Sequence, residues 1–277
     1  MGIKNLVLSN AAKNAGSLLG KTSLQRIIFN AVRLNRPEVA RLLVNEDLHF
    51  LAYCVGRRRA SRAQILQDLW VCYELGEKRD GYFVEFGSTN GITNSNTWLL
   101  EKKFGWRGIL AEPNPVWHAE LSSNRTAVIE HRCVSSKSGE QVTFLTTNSI
   151  DPELSGIASF AAGDHFASIR RTGDPIIVET VSLNDMLDDY GAPREIDYIS
   201  IDTEGNELDI LSSFDFHKRS FKLISVEQNP ATEEEIAALL KKNGYSRVFP
   251  QFSQWDGWYV SNQLRSQLPC EIIAPAT

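Results

Sequence analysis

The sequence predicts an α/β fold: a mostly parallel sheet covered by helices, behind a helical N-terminal extension. Three observations carry that expectation. From Asp80 onward, short aromatic and β-branched runs alternate with helical periods. Repeated βα units favour a parallel sheet with helices on its faces. Residues 22–75 show only the helical period, so the extension (1–60) is set apart from a domain spanning 61–277.

In chain order, "TSLQRIIFNAVRL" begins on a Thr/Ser cap and spaces Leu24, Ile27, Ile28 and Val32 as one helix face. "RPEVARLLVNEDLHFLAYCV" opens with Pro37 near a first turn. "SRAQILQDLWVCYELG" reads as a helix from Ser61 to Gly76 that buries Ile65, Leu66, Leu69 and Trp70. The alternation then runs through strand "GYFVEFG", helix "NTWLLEKKFG", strand "RGILAEP", helix "VWHAELSSN" and a single strand over "TAVIEHRCVS". "GEQVTFLT" and "IIVETVSL" read as further strands, flanking a Gly/Ser/Ala-rich stretch at 148–175 of a length that is usually functional or mobile. Strand "IDYISID", helix "NELDILSSF", strand "FKLISVEQ" and helix "TEEEIAALLKKNG" follow. Two strands, "SRVFPQF" and "GWYVSN", close the chain.

The bulk composition narrows the class. With 277 residues, 42% hydrophobic and 23% charged, the chain is neither disordered nor membrane-spanning in composition. No run reaches the roughly 18–20 apolar residues of a membrane helix. Lys and Asn interrupt the apolar patch of "MGIKNLVLSNAAKNAG" too early for a signal-peptide core, and Leu6 stands where a myristoylation signal needs Ser or Thr. Cys54, Cys72, Cys133 and Cys270 form no CxxC pair and no zinc-like cluster, which reads as reduced, buried thiols in a cytoplasmic protein. The net charge of −5 divides unevenly: residues 1–62 hold 11 basic and 3 acidic residues, a balance of +8, and the remainder carries −13. A basic arm either packs on its own body or makes peripheral contact with an anionic membrane; nucleic acid is not favoured. The apolar helical arm is also a plausible dimer element.

In parallel sheets ligands bind at the carboxyl ends of strands. The first such end is "FVEFGSTNG", where Glu85 is followed by Gly87 and Gly91, with Thr89 replacing the middle glycine of a dinucleotide fingerprint. Glu112 ends the second strand, in "LAEPNP", where a carboxylate can accept hydrogen bonds from both ribose hydroxyls. "HRCVSS" ends the third with small and apolar groups suited to an adenine face. "YISID" ends at Asp202, and "ISVEQN" ends with Glu227, Gln228 and Asn229.

Together these segments, with "CVSSKSGEQVTF", "VSLNDML", "DYISIDTEGNELDIL" and an upstream "QDLW", resemble the FkbM family of S-adenosylmethionine-dependent methyltransferases over residues 61–262. The resemblance implies a Rossmann-like class I methyltransferase sheet, mostly parallel with its last strand antiparallel. It also implies O-methylation, often of sugar hydroxyls in glycans or natural products. By position, Glu85, Gly87, Ser88, Thr89, Asn90 and Gly91 match the loop that holds the methionine part of the cofactor. Glu112, Pro113 and Asn114 match the ribose end, and Cys133 and Val134 the adenine end. Asp202 matches the acid beside the sulfonium and acceptor, and Glu204, Gly205 and Glu207 complete the D-x-E-G-x-E signature. Ser95 and Asn96 sit near the cofactor loop as caps, contacts or both; Gln67 and Asp68 reach toward it from the preceding helix. Two departures stand out. Ser88 and Thr89 replace the usual Ala and Asn, and Gln228 replaces a histidine, leaving position 228 without a general base.

Asp202, Glu204, Glu227 and His165 are the base candidates for a hydroxyl acceptor. Asp202, Glu204 and Glu227 also offer hard oxygen ligands, but a divalent metal is not favoured and no ligand set is assigned. Glu207 is expected to steady the helix start. Arg170 and Arg171 read as surface charges in preference to holders of an anionic acceptor, and Trp255 and Trp258 as buried packing in preference to sugar platforms. The alternatives are a nicotinamide-dependent oxidoreductase, since Glu112 also suits NAD(P), and a non-catalytic protein that binds through its basic arm.

Overall fold

The computed structural model describes residues 46–160 and 167–267. Residues 53–271 form one compact unit; residues 1–52 and 272–277 form another, of which only the start of α1 (Glu46–Arg57) is described. The helix expected over 22–34 lies outside the described residues. Among the described residues no helix is long and apolar enough to cross a membrane.

The helix expected from Ser61 begins instead at Gln67 (α2, Gln67–Glu74). Polar side chains divert the backbone before it. Asp68 accepts hydrogen bonds from the Ser61 hydroxyl (2.6 Å) and the Arg62 N–H (3.0 Å), and Gln67 accepts the Ile65 N–H (3.1 Å). With those donors satisfied locally, Leu66 takes a left-handed φ of 72° and is only half-buried.

Seven strands form the main sheet. In chain order they are β1 (Tyr82–Phe86), β2 (Arg107–Ala111), β3 (Val128–Glu130), β8 (Glu195–Ile201), β9 (Ser220–Glu227), β10 (Tyr245–Val248) and β11 (Asp256–Ser261). Their spatial order is β10-β11-β9-β8-β1-β2-β3. All neighbours from β9 to β3 are parallel, and only β11 runs antiparallel, to both β9 and β10. This is the Rossmann-like class I methyltransferase arrangement. Four strands, β4 (Cys133–Ser135), β5 (Gln141–Thr146), β6 (Gly156–Ile157) and β7 (Asp174–Ser182), form a second sheet in the order β4-β7-β5-β6.

The single strand expected over 126–135 is therefore two strands, each in a different sheet. Glu130 causes the break by accepting both the Arg132 backbone N–H (2.8 Å) and its Nη2 (2.6 Å), which folds the chain back at His131. The strand expected over 246–252 likewise stops at Val248, because Phe249 turns with φ 47°.

The helices are α3 (Trp98–Phe104), α4 (Pro115–Asn124), α5 (Ala167–Arg170), α6 (Leu183–Asp189), α7 (Glu207–Ser213), α8 (Glu233–Lys242) and α9 (Asn262–Gln267). The short α6 was not anticipated; Ser182 caps it by accepting the Asp185 N–H. The long stretch at 148–175 carries a 3-10 turn (Pro152–Leu154), β6 and α5. Val84, Ile109, Ile199, Ile224, Leu211 and Ile236, all buried, stand in the core between sheet and helices. Rigid strands thus deliver Phe86, Ala111, Ile201 and Glu227 to one carboxyl edge, where the chain loosens into loops.

Candidate active site

A cavity of about 670 Å³ opens at that edge. Gly87 turns out of β1 with φ 68°; a Cβ there would lie 2.5 Å from the Asp202 carbonyl oxygen, so only glycine lets this turn pass the end of β8. Thr89 follows with φ 46° and donates its N–H to Glu112 (2.8 Å). Gly87 and Thr89 line the cavity, but the rest of the loop is scaffolding. Ser88 is buried against the Glu85 and Ala111 carbonyls. Asn90 accepts the N–H groups of Ile92 and Thr93. A Cβ on Gly91 would strike Arg125 (2.6 Å) and Leu121 (2.7 Å).

Glu85 reaches the cavity wall with its carboxylate already engaged. It accepts from the Ser95 hydroxyl (3.1 Å), the Asn96 N–H (2.6 Å) and the Thr97 hydroxyl, and lies 3.7 Å from the Arg125 guanidinium. Ser95 also accepts the Trp98 N–H (3.1 Å), so it caps α3 and does not line the cavity. Asn96 does line it, and its buried Oδ1 has no protein partner.

Glu112 ends β2 facing the cavity, its two oxygens held by the Thr89 and Asn114 N–H groups, each at 2.8 Å. Among the described residues no cation neutralises it, and burial pushes its carboxyl up to about 7 against those two hydrogen bonds. Pro113 lines the cavity as well. Asn114 does not; it caps α4 and ties down Asn148 (2.8 Å) and Ser155 (3.1 Å). Cys133 and Val134 form an apolar wall with Phe144 of β5. The Cys133 thiol, pushed up to about 12 by burial and then by the Glu112 charge, is inert at neutral pH.

Asp202 and Glu227 meet where β8 and β9 end. Asp202 opens onto the cavity space while protein surrounds it at its base. Burial raises both carboxyls, and the charges of Glu204, Glu207 and Asp256 raise them further; Asp202 also raises Glu227, whereas a hydrogen bond with Glu227 opposes the rise at Asp202. Two carboxyls this close titrate as a pair.

Glu204 is placed differently. Its backbone is left-handed (φ 61°), and its carboxylate forms an ion pair with Arg170. Arg170, read from sequence as a surface charge, is 0% exposed. It also donates Nε–H to the Leu154 carbonyl (3.0 Å), because the chain folds 154–160 back over the acidic turn. Arg171 is exposed as expected. Glu207 accepts the N–H groups of Thr203 (3.0 Å) and Gly205 (2.9 Å), steadying the turn immediately before α7. The nearest oxygens of Asp202, Glu204 and Glu227 lie within 4.8 Å of one another, a spacing a divalent cation accepts, but Arg170 already supplies a charge at Glu204.

Comparison with known families decides the class. The methyltransferase FkbM domain matches residues 83–247. This chain is an FkbM methyltransferase. No curated protein matches it. Among solved structures, precorrin-6y C5,15-methyltransferase from Geobacter metallireducens is similar at 10% identity and TM-score 0.38, over 70% of this chain and 85% of that one. A protein of Pyrococcus horikoshii described as a "putative RNA methyltransferase" overlaps at 9% identity and TM-score 0.35, over 71% and 81% of the two chains. Overlaps this loose carry no argument; the family match and the strand order do. The oxidoreductase alternative falls with the family match.

Within the methyltransferase domain, Gln67 lines the cavity and donates to Asp256 (3.0 Å), whereas Asp68 is turned away into the 61–69 turn. The tryptophans separate. Trp258 is buried and stacks on Trp70 at 5.1 Å, as expected. Trp255 is 43% exposed and stands on the cavity rim. His165 lies outside the described residues. Sequence reasoning did not single out Phe144, Asp151, Glu153, Leu154 or Glu233 as lining residues. The length of the 148–175 segment was the available signal for the strap Asp151–Ser155; nothing local marks Phe144 or Glu233.

Proposed function

We propose that this methyltransferase uses S-adenosylmethionine to methylate a hydroxyl oxygen of a sugar, glycan or related natural product. The observation that carries the reading is the gathering of the Gly87 turn, Glu112, the Cys133–Val134–Phe144 wall and the Asp202–Glu227 pair around one cavity. Its volume falls within the roughly 300–1,000 Å³ of small-molecule sites. The residues fit the cofactor. Glu112 keeps lone pairs on both oxygens for vicinal ribose hydroxyls, the apolar wall suits a flat base, and the orphaned Asn96 Oδ1 awaits a donor.

Bound there, S-adenosylmethionine supplies an electrophilic methyl group on a sulfonium. The protein's own part is alignment and proton removal. The cavity would hold the acceptor in line with that methyl group, and the Asp202–Glu227 pair is placed to take the proton of its hydroxyl. Alignment contributes several kcal/mol. A base within hydrogen-bond reach contributes about 10²- to 10⁴-fold. Glu204 is held by Arg170 and is the weakest of the carboxylate base candidates. The exposed ring of Trp255 supports a sugar-sized acceptor at the mouth.

Two measurements test this. Calorimetry with S-adenosylhomocysteine is expected to show one-site binding that weakens in Glu112→Ala; NAD binding with no response to S-adenosylhomocysteine would overturn the cofactor assignment. A labelled-methyl screen over glycosides, nucleotide sugars and lipid-linked glycans, with and without EDTA, is expected to label an oxygen. Label found only on nitrogen or carbon would refute O-methylation.

A further inference from the structure

The charge of the cavity wall points to the acceptor's chemistry. No Lys, Arg or His is present among the described residues that line it, against eight carboxylates. Three of the eight have a cation of their own: Glu85 beside Arg125, Glu204 on Arg170, and Glu233 on Arg247 at 2.6 Å. The other five, Glu112, Asp151, Glu153, Asp202 and Glu227, have no ion pair among the described residues. Carboxylates gathered around one cavity repel one another and favour a ligand of opposite charge.

A sulfonium and an ammonium account for the charge at Asp202, and ribose hydroxyls for Glu112. Glu227 belongs with Asp202 to the pair that takes the acceptor's proton, so Asp151 and Glu153 are left over, on the strap. Asn94 fixes Glu153 in place through its amide (3.0 Å), and Asp151 holds the Glu153 N–H (3.3 Å), so the strap presents its two acids in a set arrangement. Trp255, joined to the end of β9 through its carbonyl and the Gln228 N–H (2.9 Å), adds an aromatic face of the kind that attracts cations.

Resting on the hydroxyl-acceptor reading above, we infer that the acceptor carries a cationic nitrogen near its reactive hydroxyl, as an amino sugar does, and that anionic acceptors are rejected. The strap acids Asp151 and Glu153 hold the ammonium in the cavity that Trp255 also lines.

The test uses the full chain saturated with S-adenosylhomocysteine and titrated with glucosamine, N-acetylglucosamine and glucuronate, which share one ring and differ in charge. Glucosamine is expected to bind at least about tenfold tighter than either of the others. The margin is expected to shrink toward one in Glu153→Gln and in Asp151→Asn, and as the amine loses its proton at alkaline pH. Equal or tighter binding of glucuronate or N-acetylglucosamine overturns the inference, as does failure of glucosamine to bind. Saturable binding of Mg²⁺ alone that is lost in Glu227→Gln would assign the carboxylates to a metal and also overturn it. Absence of S-adenosylhomocysteine binding would strike the cofactor reading instead, and is distinguished by being measured first.

Discussion

Two acidic clusters sit along the same sheet edge and are treated in opposite ways. In the first, Glu85 and Glu101 close on Arg125, whose guanidinium lies 2.8 Å from Glu101 and also donates to the Thr97 hydroxyl and the Gly91 carbonyl. Burial alone would raise Glu101, but the charge of Arg125 and the hydrogen bonds around it hold it below its ordinary value. In the second, the charges acting on Asp202 and Glu227 among the described residues are those of other carboxylates, and both rise. The same side-chain chemistry thus builds structure where the protein provides the cation, and an acidic cavity wall where it does not.

Breaking the first cluster is expected to have the largest effect. Arg125→Met strands two buried carboxylates and should cost about 3–5 kcal/mol of stability, measured by urea unfolding. Asp202→Asn makes the opposite case: methyl transfer should fall by about 10²-fold or more while stability holds or rises, because a like-charge contact is removed. Loss of stability comparable to that of Arg125→Met would show that the two clusters are alike.

A subtler contrast is in pH dependence. Glu112 is raised from 4.5 to about 7 in the fold, so its contribution is fully present below the unfolded value and is lost as pH rises through about 7. Glu101, being lowered, contributes above its unfolded value and loses that contribution on acidification. Glu112→Gln should therefore flatten the decline in Tm between about pH 4.5 and 7 and leave the acid limb in place. An unchanged slope would mean that Glu112 is not the titrating group. The smallest effect expected is at Trp255: Trp255→Ala should weaken glucosamine binding by about 0.5–1 kcal/mol and leave S-adenosylhomocysteine binding intact.

Sequence made the strand ends legible, since short aromatic and β-branched runs stopping at Glu85, Glu112, Asp202 and Glu227 leave few other arrangements for a βα alternation. What it hid was set by contacts across long separations. "CVS" continues the rhythm of "VIE", and only the grip of Glu130 on Arg132 sends the two runs to different sheets. Arg170 follows a small-residue, turn-rich stretch that reads as solvent-facing, yet its partner Glu204 lies 34 positions away. Leu66 fits a helix face by spacing, but the side chains of Gln67 and Asp68 satisfy the donors that a helix would have used.

The parting of β3 from β4 has one more consequence. Glu112, the proposed ribose acid, ends a strand of the seven-stranded sheet, whereas Val134 and Phe144 belong to the four-stranded one. A nucleoside lodged between them spans a seam and acts as a staple. Melting of the two sheets, followed by amide exchange, should be separable in the free protein and merge into one event when S-adenosylhomocysteine is bound.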